Sequence, residues 1–132
     1  MGRVEDKNLE VIEFVDNLEK ILPDDYGEYI SNLEKRLACE RAFEKIVEVV
    51  NDLAILLIKE KGMVLPVDDE GVFDVLAEAE VISKELALKL KDAKGMRNIL
   101  AHQYGNINDE IDFETIRNEI IKDVKEFLGL LK

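Results

Sequence analysis

Between Val4 and Leu22 apolar residues recur three or four apart, at Leu9, Ile12, Val15, Leu18 and Leu22. That spacing marks one face of an amphipathic helix, and Pro23-Asp24-Asp25 breaks it. A long second helix is predicted from about Glu28 to Lys61. Its first half alternates apolar and charged faces. From Ile46 to Ile58 it is apolar nearly all round, with Ile46, Val47, Val49, Val50, Leu53, Ala54, Ile55, Leu56, Leu57 and Ile58. Such a stretch needs neighbours on more than one side, and in a small bundle a second subunit is one way to supply them. Gly62 stands where a helix ends on glycine.

Pro66 to Glu70 reads as a loop, followed by a short helix from about Glu70 to Ala79. Ser83 is placed to cap another helix, whose stripe runs through Ile82, Leu86, Leu90 and Ala93. Gly105 to Asp112 reads as a polar loop. Asp112 is the expected cap of a last helix, with Ile116, Ile120, Val124, Phe127 and Leu131 on its inner face. The expected fold is all-α: one domain over residues 1–132, an up-and-down bundle of four main helices with a fifth short piece.

Composition narrows the chemistry. The chain has 132 residues, 47% hydrophobic and 36% charged, with a formal net charge of −12. One cysteine, Cys39, excludes an internal disulfide and reads as a small core residue. One histidine, His102, and one cysteine do not build a zinc site without carboxylates. The pair of histidines that a di-iron bundle needs is missing, and no glycine-rich phosphate loop occurs. No metal and no cofactor is therefore expected. Nothing approaches the apolar length of a membrane span, and no apolar signal core follows Met1 to Lys7. A reducing cytoplasm is the expected setting.

The fourth helix breaks its own pattern. Its stripe continues from Ala93 through Arg97, Ala101 and Tyr104, so an arginine stands where a core residue is due. A guanidinium is costly to bury unless paired or used. At about 100° per residue, Asn98 lies about 100° and His102 about 140° from Arg97, with Tyr104 about 20° to the other side. Ile99 and Leu100 point away. A cation, an amide, an imidazole and a phenol thus share one arc. From Lys84 to Tyr104 there are five basic and two acidic residues, net +3, which leaves −15 for the rest of the chain. A phosphate-bearing ligand is attracted to this island and repelled elsewhere.

Two readings follow from the residues. In one, His102 caps or packs, Arg97 snorkels and the lysines form a solvated face. In the other, the cluster handles a phosphodiester. His102 then removes a proton from an RNA 2′-hydroxyl, and Arg97 binds the phosphoryl oxygens as charge develops on them.

The run Met96-Arg97-Asn98-Ile99-Leu100-Ala101-His102-Gln103-Tyr104 resembles the signature of the HEPN superfamily, an arginine followed four to six residues later by a histidine. The further tyrosine, giving Arg-Asn-x-x-x-His-x-Tyr, is similar to the HepT-like branch. Glu40 to Ala54 resembles the second helix of that family, and Ile82 to Ala87 the run before its motif. The resemblance implies a helical homodimer in which two Arg–His motifs form one composite cleft. It also implies a metal-independent ribonuclease toxin, paired with a nucleotidyltransferase antitoxin of the MNT type that transfers AMP to the motif tyrosine. On this reading Arg97 and His102 match the catalytic pair, Asn98 the polar position beside the substrate and Tyr104 the modified residue. Glu48 and Asp52, one turn apart in the second helix, either support Arg97 or face solvent. The alternative function is a non-catalytic helical partner of a nucleotidyltransferase, which binds a nucleotide or that partner.

Overall fold

The computed structural model describes residues 2–68, 71–102 and 108–131. Among these residues the regular structure is helical: α1 (Arg3–Ile21), α2 (Tyr26–Ser31), α3 (Leu33–Glu60), α4 (Val72–Glu78), α5 (Lys84–His102), α6 (Asp109–Glu114) and α7 (Ile121–Leu130). A π-helical stretch, Thr115–Ile120, joins α6 to α7. The up-and-down all-α architecture read from the sequence is the one observed. No helix among the described residues is long and apolar enough to cross a membrane.

The centre of the bundle is α3. It packs against α1, α4, α5 and the π-helical stretch. The near-continuous apolar run is thereby explained within one chain: Ile46, Val47, Val49, Val50, Leu53, Ala54, Leu57 and Ile58 are buried. Ile55 and Leu56 are half-buried. Cys39 is fully buried, and burial followed by the nearby Glu40 pushes its thiol up to about 11. It is an inert core residue, as expected.

Several local expectations are corrected. The helix predicted from Glu28 to Lys61 is two helices, because Asn32 leaves helical geometry and its side chain accepts a hydrogen bond from the Lys35 N–H at 3.1 Å. An Asn cap satisfies a backbone donor that a continuous helix leaves to the preceding turn. On α1 the buried residues are Val11, Val15 and Leu18, whereas Leu9 and Ile12 are 57% and 42% exposed. Both sets have helical spacing, and the partner α3 decides which one faces inward.

The cap of the last helix is Asn108, which accepts from the Ile111 N–H at 3.1 Å. Asp112 lies inside α6 and is only 7% exposed. The residues downstream behave as predicted: Ile116, Ile120, Val124 and Phe127 are buried and Leu131 is partly so. Gly62 ends α3 with φ +70°, and the Met63 N–H reaches back to the Ile58 carbonyl at 3.0 Å, the backbone geometry for which glycine carries no steric penalty.

Two aromatic clusters join helices distant in sequence. Phe113 lies 5.0 Å from Tyr29 and 6.0 Å from Tyr26, centroid to centroid. Phe73 meets Phe127 edge-on at 6.3 Å. The first clamps α6 onto α2; the second clamps α7 onto α4.

Candidate functional site

The site stands on α5. Ser83 starts the helix by accepting from the Leu86 N–H at 3.0 Å. Leu86, Ala87, Leu90, Ala93 and Leu100 are buried against α3, α4 and α7. The inward stripe therefore ends on Leu100, and Ala101 is exposed. This reverses the expectation that Ala101 faces the core and Leu100 faces away. The larger side chain takes the buried place, as its greater apolar area dictates.

Arg97 is half-buried. One terminal nitrogen, Nη1, donates to Asn98 Oδ1 at 3.1 Å, and the other, Nη2, lies 3.7 Å from Glu48 Oε2 on α3. Its Nε is buried and makes no hydrogen bond among the described residues. The guanidinium is thus held at both terminal nitrogens. Asn98, expected beside the substrate, is here the neighbour that steadies Arg97.

Of the two carboxylates considered as supports, Glu48 reaches Arg97 and Asp52 does not. Asp52 turns to α1, where its Oδ2 lies 3.7 Å from Lys7 Nζ. Both residues nevertheless line a cavity of about 170 Å³ together with Val47, Asn51, Lys94 and Arg97. The Arg97–Glu48 pair is partly solvated and stabilises the fold by under about 1 kcal/mol, so its effect is to orient the guanidinium.

His102 is the last residue of α5 and is exposed. It lies five positions after Arg97, a rise of about 7.5 Å along the helix. Tyr104, the fourth member of the predicted arc, lies outside the described residues.

The basic island is answered from neighbouring helices. Lys89 lies 3.9 Å from buried Asp123 and 3.5 Å from Glu85, and Lys91 lies 2.9 Å from Asp74. Lys94 donates to Oδ1 of Asn51 at 2.9 Å. Lys94 belongs to the basic island read from the sequence, whereas Asn51 was not singled out. The available signal was a polar side chain one turn after Glu48 within an otherwise apolar run, matched by a cation one turn before Arg97.

Comparison with known proteins shows that the chain belongs to the HepT-like family. The model of the family described as ribonuclease HepT-like matches residues 11–131. A putative RNase of Archaeoglobus fulgidus is 31% identical over 85 residues, 64% of this chain and 58% of that protein. The mRNA nuclease HepT of Shewanella oneidensis is 25% identical over 89 residues, 67% of this chain and 66% of that one. The matched stretch thus spans 58% and 66% of these two relatives. The solved structure of a tri-AMPylated Shewanella oneidensis HEPN toxin in complex with MNT antitoxin superposes with a TM-score of 0.91 over 99% of this chain and 98% of that one at 18% identity. At that identity the likeness is one of fold.

Proposed function

Because the chain belongs to the HepT-like ribonuclease family, we propose that it is a metal-independent endoribonuclease toxin, paired with a nucleotidyltransferase antitoxin of the MNT type. The observation that carries the reading is the half-buried Arg97, held by Asn98 and Glu48, with exposed His102 five residues on along the same helix.

In this mechanism His102 takes the proton of an RNA 2′-hydroxyl. The freed oxygen attacks the adjacent phosphorus, the bond to the 5′ oxygen breaks, and that oxygen takes a proton from solvent. A 2′,3′-cyclic phosphate and a 5′-hydroxyl remain. Arg97 binds the phosphoryl oxygens while negative charge builds on them. Its planar fork suits two oxygens at once, and Asn98 and Glu48 keep that fork in place before substrate arrives.

The active unit in this reading is a homodimer with a composite cleft. The outer face of α5 supports it. Leu88 and Ile99 are 58% and 41% exposed, and between them Gly95 has no atom within 4 Å of where a Cβ would sit. A mid-helix glycine costs about 1 kcal/mol relative to alanine. Among the described residues no close approach accounts for it, and in this reading the second subunit's helix crosses there.

The antitoxin silences the enzyme by transferring AMP to Tyr104. The added phosphate brings negative charge to Arg97 and His102 and excludes RNA. Expression of the chain alone is expected to arrest growth, and His102→Ala to restore it. Co-expression with an MNT-type nucleotidyltransferase is expected to add mass in AMP units to the wild type and none to Tyr104→Phe. Unchanged toxicity of a folded His102→Ala variant overturns the reading.

A further inference from the structure

α3 and α5 run antiparallel, and two contacts fix their register. Glu48 meets Arg97 and Asn51 meets Lys94, so three residues forward on one helix match three back on the other. Followed for five residues in the other direction, at about 1.5 Å each, the same register sets His102 opposite Phe43 of α3. Arg41 stands two positions beyond, an axial offset of about 3 Å. Packed helix axes lie about 8–10 Å apart, so Arg41 and His102 stand on facing walls rather than on one phosphate.

Helical phase decides where Arg41 points. It lies seven positions before Glu48, which at about 100° per residue returns it to within about 20° of the same face. Arg41 is exposed there. The carboxylates around it are engaged elsewhere or withdrawn. Glu40 accepts from the Tyr29 hydroxyl at 3.3 Å and lies 3.9 Å from Arg36. Glu48 is shared by Arg97 and Lys45, each 3.7 Å away. Glu44, one turn on, is half-buried and forms no ion pair with Arg41. Among the described residues the Arg41 guanidinium has neither a hydrogen bond nor an ion pair. In a chain with 30 acidic and 18 basic residues, such a cation remains available to an anion from outside, and its planar fork suits a phosphate.

We infer that Arg41 is a second anchor for the RNA strand, binding the phosphate next to the one held by Arg97. The inference rests on the ribonuclease reading above. Arg41 takes no part in the bond-breaking step; it holds the strand across the gap between α3 and α5.

The test is steady-state cleavage of a short single-stranded RNA in excess EDTA by wild type, Arg41→Gln, Arg41→Lys and Lys59→Gln, at several salt concentrations. Binding of the same RNA to His102→Ala, with and without Arg41→Gln, reads the contact without turnover. Melting curves of wild type and Arg41→Gln are expected to coincide, since the side chain has no partner to lose. Arg41→Gln is expected to raise KM about fivefold, the upper range of an exposed ion pair, with kcat little changed. The slope of log(kcat/KM) against log salt is expected to shrink by about 0.7, as for one lost phosphate contact on a single strand.

Arg41→Lys keeps the charge and is expected to restore the slope and most of KM. Lys59→Gln removes an exposed cation about 27 Å away along α3 and is expected to move neither. An unmoved KM in Arg41→Gln, an equal rise in Lys59→Gln, or a rise with an unchanged salt slope overturns the inference while leaving the ribonuclease standing. RNA binding that depends on Arg41 in a wild type that does not cleave sinks the ribonuclease reading and leaves the contact. A wild type that neither cleaves nor binds the RNA removes both.

Discussion

Asp112 offers a prediction in which the sequence and the structure point in opposite directions. As a helix cap it would be stabilised by its charge. Buried inside α6 it is penalised instead: burial first, then the neighbouring Asp109 and Glu40, push its carboxyl from the ordinary 3.8 up to about 6. Below pH 4 the group is protonated in both the folded and the unfolded chain. Between about 4 and 6 the folded chain holds a proton that the unfolded chain has lost, so stability falls as pH rises. Above 6 the full penalty is present, about 3 kcal/mol for a rise of this size.

Asp112→Asn removes the penalty. It also removes a negative charge from the first turn of α6, which gives back under about 1 kcal/mol. The variant is therefore expected to gain about 2 kcal/mol at pH 7, roughly 6–10 °C in Tm for a domain of this size. Its advantage should shrink steadily from pH 6 to pH 4. Urea or thermal unfolding of both proteins across that range reads the difference directly. An advantage that is constant with pH, or a variant less stable than wild type at pH 7, would refute the argument.

Three other outcomes are expected. Asn32→Ala should cost about 1 kcal/mol in urea unfolding, the usual loss for a helix cap, and no loss would show that α2 and α3 do not need the break. Glu80 has φ 60°, in the region where only glycine is unstrained, so Glu80→Gly should raise stability by about 1 kcal/mol; a lower Tm would contradict this. Gly95→Arg should leave the fold intact, since nothing lies within 4 Å of its Cβ direction, yet convert a dimer to a monomer by light scattering. A dimer that survives the substitution would remove the α5 crossing from the account.

The parts of the fold visible in the sequence are those in which one local signal acts alone. Ser83 followed by Leu86, Leu90 and Ala93 announces α5, and Ile116 to Phe127 announces the last helix, because the apolar spacing there has a single solution. The misreadings occur where two solutions compete. On α1, Leu9 and Ile12 have the same helical spacing as Val11 and Val15, and only the position of α3 separates them. Before the last helix, Asn108, Asp109 and Asp112 are all capping residue types, and the chain uses the first.

The candidate site divides in the same way. Arg97 and His102 stood out because a cation interrupts an apolar stripe and the chain has one histidine. Asn51 did not, because its meaning depends on Lys94, forty-three residues away. Asp52 was grouped with Glu48 on spacing alone, and tertiary packing sent it to Lys7.

The central claim is that Arg97 and His102 cleave RNA without a metal. The most direct measurement is incubation of purified wild type and His102→Ala with total RNA and tRNA in excess EDTA, with analysis of the new ends and a mass measurement of the wild type. The account predicts cleavage by unmodified wild type alone, leaving 2′,3′-cyclic phosphate ends. Cleavage that appears only when a divalent metal is added, or that persists undiminished in folded His102→Ala, would contradict it.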